Sequence, residues 1–143
     1  MRKIALVAGL LFAMIAFAAT KQPVALTATP QAVQDVIASH YTPEQILIVT
    51  CEKTAPKKYE YELRIADGTK LVYSNKAQLL KIENEKGIDL TFVPSGIQKY
   101  VKETFPNATI TKYTCKGSRQ DVILNIDIDV VFDKSGRFVR LED

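Results

Sequence analysis

Cys51 and Cys115 are the only cysteines in this 143-residue sequence, and His40 is its only histidine. In an exported chain an even cysteine count allows a disulfide. A Cys51–Cys115 bridge would close a loop worth about 4 kcal/mol of chain entropy. The alternative is two separate buried thiols, each filling the same niche in its own half of the sequence. A nucleophilic cysteine needs a neighbouring base, and His40 lies in a different part of the pattern. It falls at the end of a predicted helix, where a cation complements the helix dipole. Asp121, Asp127, Asp129 and Asp133 form an acidic group. A spacing of two on a strand puts Asp127 and Asp129 on one side, where Ca²⁺ binding is conceivable. The segment lacks the dense oxygen ligands of a calcium loop, and a solvated strand face explains the same residues. No catalytic set, metal or cofactor is therefore assigned, and the sequence reads as that of a non-enzyme.

The elements that would position these side chains occur twice. A shift of sixty-four positions brings Pro30 onto Pro94, Gln34 onto Gln98, Ile46 onto Ile110 and Cys51 onto Cys115. A shift of fifty-nine aligns Leu71-Val72-Tyr73 with Val130-Val131-Phe132. Self-similarity of this kind predicts a tandem pair of one small unit. In the first half Val33, Val36, Ile37 and Tyr41 have helical spacing after a Thr29-Pro30 start. Ile97, Tyr100, Val101 and Phe105 do the same after Pro94. Strands follow at 46–51 and 110–115. Tyr59, Tyr61, Leu63 and Ile65 then alternate with Glu60, Glu62 and Arg64, which gives one buried and one wet face. Asp67-Gly68 predicts a tight hairpin turn onto 70–73. The second half reads Ile126-Asp127 at that place, without Gly, which predicts a looser hairpin. The expected fold class is α+β: a tandem repeat of helix plus antiparallel β-hairpin units, with the helices packed on one face of an antiparallel sheet.

The N-terminus reads as an export signal. Arg2 and Lys3 precede an uncharged apolar stretch from Ile4 to Phe17, and Ala16-Phe17-Ala18 is a small-x-small cleavage site. The stretch is shorter than the roughly 20 residues a spanning helix needs. Residues 1–18 are thus expected to be a signal peptide and 19–28 a flexible leader. The chain is expected to be periplasmic or secreted, with no stable membrane anchor after cleavage. Without residues 1–18 it carries 17 basic and 16 acidic side chains, a balance of +1. That balance gives no reason to propose nucleic acid or an acidic membrane as partner.

Pro30…Val33…Ile37…Tyr41, Tyr61-Glu62-Leu63, Asp67-Gly68 and Leu71-Val72-Tyr73 resemble one unit of the PepSY-like, β-lactamase-inhibitor-like family of exported bacterial proteins. Pro94…Ile97…Tyr100-Val101…Phe105-Pro106 and Val130-Val131-Phe132-Asp133-Lys134-Ser135-Gly136 resemble the second. On that resemblance 29–82 and 92–143 are the two repeats and 83–91 the connector. The resemblance implies a bare sheet face or loops that bind another protein, and it carries over no catalytic residue.

If the tyrosine and leucine face meets the helices, the opposite face presents Glu60, Glu62, Arg64, Lys70 and Val72. The second half adds Asp121, Ile123, Asp129 and Val131. Mixed charge around a few aliphatics suits a modest protein interface. The expected function is an exported binding or inhibitor-like protein that offers this face to a protein or peptide partner. The alternative is an envelope-associated structural or self-associating protein without a discrete ligand.

Overall fold

The computed structural model describes residues 21–143. The expected signal peptide falls outside the described residues. Nine strands form one antiparallel sheet in which every strand pairs with its neighbours in sequence. They are β1 Lys21–Pro23, β2 Ile46–Ala55, β3 Lys58–Ile65, β4 Lys70–Ser74 and β5 Leu79–Glu83, followed by β6 Ile110–Lys116, β7 Arg119–Leu124, β8 Asp129–Phe132 and β9 Phe138–Glu142. Two ten-residue helices, α1 Gln31–His40 and α2 Ser95–Thr104, precede β2 and β6. Residues 21–28, read from sequence as a loose leader, instead form β1 and a 3-10 turn at Leu26–Ala28.

The expected fold class is corrected by this topology. The protein is mostly β and is built on one continuous nine-stranded sheet, not on repeated helix-plus-hairpin units. The two halves are joined through the sheet itself. β5 pairs with β6 in the register Lys81↔Thr114, Ile82↔Tyr113 and Glu83↔Lys112. Ile82 is fully buried and Tyr113 nearly so, so ending the sheet at β5 would leave a row of apolar side chains wet. The helices contribute less than their apolar spacing suggests. Val33 and Ile37 on α1, and Ile97 and Val101 on α2, are buried, but Val36 is exposed. Tyr41, Tyr100 and Phe105 only partly pack on the core.

Local chemistry explains the helix starts. Pro30 and Pro94 are the N-caps, and neither offers a side-chain cap. Thr29, expected to cap α1, is buried and donates its hydroxyl to the Leu26 carbonyl at 2.7 Å. Glutamines do the tying instead. Gln34 Nε2 donates to the Thr29 carbonyl at 2.8 Å, and Gln98 Nε2 donates to the Leu90 and Val93 carbonyls at 2.6 and 2.7 Å. Each helix is thereby fixed to the 3-10 turn before it.

The turn at Ile126-Asp127 is not looser than its counterpart. Asp127 takes φ 60° where Gly68 takes φ 95°. The backbone bonds match as well: Gly68 N–H to the Ile65 carbonyl and Asp127 N–H to the Leu124 carbonyl are both 3.0 Å. Aspartate is among the few residues that tolerate the left-handed region, so glycine is dispensable there. Register shifts within the β2–β3, β4–β5, β6–β7 and β8–β9 pairings mark bulges, which bend strands and increase twist.

Candidate functional site

Alternation along the strands sorts side chains onto two faces. Val49, Leu63, Leu71, Ile82, Tyr113, Val122 and Val130 lie in register across β2 to β8 and form the core under the helices. The residues between them form the outer face. It holds all nine residues expected there: Glu60, Glu62, Arg64, Lys70 and Val72 from β3 and β4, and Asp121, Ile123, Asp129 and Val131 from β7 and β8. Several of these are less available than alternation implies. Val72, Val131 and Asp121 are buried, and Ile123, half-buried, is the one aliphatic of the nine that keeps contact surface.

Sequence reasoning missed the middle of this face. The β5–β6 pairing sets Lys81 beside Thr114 and Glu83 beside Lys112, and Lys116 extends the row. The missing signal was the strand pairing between the halves. A cleft of about 570 Å³ runs across this face, with walls that include Lys21, Glu62, Val72, Lys81, Thr114 and Asp121. Those residues come from β1 to β7, so the sheet curves around the cleft.

Two ion-pair networks flank the lysines. In the first, Glu62 accepts from Lys21 and Arg64, each at 3.3 Å, and lies 3.8 Å from Lys70, which reaches Glu83 at 2.9 Å. Burial pushes the Glu62 carboxyl up, but Lys21, Lys70 and Arg64 outweigh it and hold it below the usual range. Glu83 behaves the same way: burial raises it, and Lys70, Lys81 and Lys112 bring it down. In the second network Arg119 donates to Asp121 and Glu142 at 2.7 and 2.8 Å and lies 3.7 Å from Asp129. Arg140 also donates to Glu142 at 2.7 Å. Arg119 holds the Asp121 carboxyl low, and Arg119 with Arg140 holds Glu142 low. Asp129 moves the other way. Burial and the neighbouring Asp121 push it up to about 6. Its Oδ1 is shielded from solvent without a hydrogen-bond partner, so a protonated Asp129 that donates to Asp121 satisfies both groups. Lys81, Lys112 and Lys116 make no ion pair among the described residues.

Asp121, Asp129 and Glu142 offer oxygens within 4.8 Å of one another. Arg119 and Arg140 together offset two of these three carboxylates, which leaves little net charge for a cation. The acidic set read from sequence is split by the fold. Asp127 lies in the β7–β8 turn, and Asp133 accepts from the backbone N–H groups of Ser135 and Arg137, each at 2.9 Å.

The cysteines are free thiols on β2 and β6. Four strand spacings separate those strands, about 19 Å, while bridged Cα atoms lie within roughly 7 Å. Of the two alternatives open from sequence, the structure takes the separate thiols, but both are half-buried rather than buried. Gln78 Nε2 lies 3.4 Å from Cys115 Sγ. His40 pins α1 to the turn before α2. Its Nε2 is 3.1 Å from Thr91 Oγ1, its Nδ1 is 2.9 Å from the Val36 carbonyl, and its ring lies 4.4 Å from that of Phe92. Thr91 Oγ1 donates to Asp89 at 2.7 Å. This contact fixes the helix and carries no nucleophile.

Among the described residues no helix is long and apolar enough to cross a membrane. No curated protein matches the chain. Solved structures do. A protein of Bacteroides thetaiotaomicron, described as a putative calcium-regulated periplasmic protein, is 21% identical with a TM-score of 0.78, over 86% of this chain and 97% of that one. A putative periplasmic protein of unknown function from Bacteroides vulgatus is 25% identical with a TM-score of 0.78, over 86% and 99%. Another putative periplasmic protein of that organism is 20% identical with a TM-score of 0.79, over 88% and 99%. With the family model matching residues 16–81 and 60–140, the chain belongs to the putative β-lactamase-inhibitor-like, PepSY-like family.

Proposed function

We propose that this chain is an exported, non-enzymatic binding protein whose outer sheet face takes an acidic segment of a protein or peptide partner. The observation that carries the reading is the row of Lys81, Lys112 and Lys116 at the centre of the cleft face. The first network has one more base than acid and the second one more acid than base. Glu52 and Glu60 also line the cleft, so the three lysines form a local positive strip on a face of mixed charge. An acidic loop laid across β5 and β6 would meet all three lysines, and the buried Val72 and Val131 leave recognition to the charges. Complementarity of this kind governs partner choice and encounter rate. The periplasmic description of the similar structures agrees with export.

The test is affinity capture from the native exported fraction, followed by a titration of the captured partner. The Lys81→Glu/Lys112→Glu pair is expected to weaken binding at least tenfold, and Lys99→Glu on α2 to leave it unchanged. Capture of nothing, or equal binding by both variants, would sink the reading.

A second reading, self-association, is favoured by the edge strand β9. Phe138, Val139 and Leu141 are all exposed there, and one side of the strand has no partner strand among the described residues. Such an edge templates pairing with another copy. Sedimentation equilibrium that showed concentration-dependent dimers, abolished by Leu141→Lys, would favour this reading over the first.

A further inference from the structure

The near-neutral balance of the chain conceals a separation of charge along the strand direction. Because the strands run in sequence order, four hairpin turns project from one end of the sheet: those joining β2 to β3, β4 to β5, β6 to β7 and β8 to β9. The first carries Lys53, Lys57 and Lys58, and the second Lys76. The third carries Lys116 and Arg119, and the fourth Lys134 and Arg137. All eight are exposed. Arg119 belongs to the outer-face network, and the other seven make no ion pair among the described residues. Asp133 is the only acid within these four turns, and its carboxylate is occupied by its own turn's N–H groups.

The opposite end has the reverse sign. Counted with their terminal strand pairs, as at the rim, the turns at 66–69 and 125–128 and the connector at 84–89 carry six acids (Asp67, Glu83, Glu85, Asp89, Asp127 and Asp129) against four bases (Arg64, Lys70, Lys86 and Lys112). That connector belongs to this end, because Asn84 donates to the Asp67 carbonyl and to Thr69 Oγ1 at 3.2 and 3.0 Å.

We infer that the basic turn rim docks the protein, end on, against an anionic phospholipid surface. Successive turns on this edge are two strand spacings apart, so the row is about 29 Å long. The curvature and twist of the sheet bend this row, and the lysines of neighbouring turns reach an anionic surface together. Lysines near such a surface are attracted additively and over roughly a Debye length. Two exposed aromatics border the rim, Tyr59 and Phe138, and one face of Phe138 is already stacked on Tyr100 at 4.9 Å, so the rim offers few of the platforms on which nucleic-acid bases stack. The acidic end would then point away from the lipid, which orients the molecule as well as holding it. Lys116 belongs both to the rim and to the outer-face row, but the rim variant below leaves Lys81, Lys112 and Lys116 unchanged, so its failure and the failure of the partner reading are distinguishable.

The experiment is co-sedimentation of the purified mature chain, without residues 1–18, with two vesicle populations. One is phosphatidylcholine alone, and the other contains roughly 30% phosphatidylglycerol. The wild type is expected to sediment with the anionic vesicles at about 0.05 M NaCl and to be released at about 0.5 M. The rim variant Lys57→Glu/Lys76→Glu/Lys134→Glu is expected to bind at least tenfold more weakly. The control Lys86→Glu/Lys99→Glu/Lys102→Glu has the same net charge and is expected to stay within about twofold of wild type. Circular dichroism checks that both variants are folded. Equal binding by the rim variant overturns the inference, as does equal loss in the control. Salt-resistant binding to phosphatidylcholine alone, or binding to soluble polyphosphate without binding to vesicles, overturns it too.

Discussion

Asp129 has the least comfortable ionised form on the outer face, and its titration has a definite sign. Its native pKa of about 6 lies above the value of roughly 3.9 for an unfolded aspartate. A group raised in this way favours the folded state fully below the unfolded value and loses that contribution as pH rises through about 6. Asp129→Asn keeps a donor for Asp121 and removes the second negative charge. Thermal unfolding should show the variant about 3 °C more stable than wild type at pH 8 and indistinguishable from it near pH 4. A second residue-level test concerns Tyr113, whose hydroxyl donates to Gln120 Oε1 at 2.6 Å inside the core. Tyr113→Phe leaves that oxygen buried and unpaired, so urea unfolding should lose about 1–3 kcal/mol. Neither contact was legible in the sequence. Gln120 reads as an ordinary polar strand residue until the register of β6 on β7 places Tyr113 beside it. The Asp121–Asp129 pair was half legible, because the acids were visible as a group while their shared Arg119 and Glu142 were not.

At the scale of elements, the turns are the most demanding part of the sequence. Gly87 holds φ 113°, and a Cβ added there would meet Thr109 Cγ2 at 2.8 Å. Gly87→Ala is expected to cost roughly 2 kcal/mol, measured as a fall in the urea midpoint at unchanged m-value. The strands and helices themselves were readable, because alternation and helical spacing depend only on nearest neighbours. Their relative weight was not. Four apolar positions per helix suggested that the helices organise each half, yet Val36 stays wet and only two residues per helix are buried. The sheet provides most of the core, and its β5–β6 seam is set by the connector's path, which no local pattern announces. The Ile126-Asp127 turn errs the other way: the absence of glycine suggested a different shape, but the left-handed position is filled by one of the few other residues that accept it.

For the whole molecule the seam at β5–β6 predicts a single cooperative body. Ile82 is fully buried where the two halves meet. Ile82→Ala should cost about 2–5 kcal/mol and should lower one calorimetric transition, with calorimetric and van't Hoff enthalpies equal. Two resolved transitions would mean that the halves fold apart. Net charge is silent about distribution at this scale. A balance of +1 gives no reason to propose an anionic surface, while the hairpin connectivity gathers eight of the nineteen Lys and Arg side chains in four neighbouring turns.

The unbroken order of the strands bears on how the chain reaches this shape. Among the described residues each strand adds to the one just before it, and the sheet contains no crossover. A polypeptide delivered from its amino end can therefore zip up stepwise, without holding an early strand open for a late one. Its contacts span short stretches of sequence for an all-antiparallel protein, so refolding should be faster than in Greek-key sandwiches of equal length.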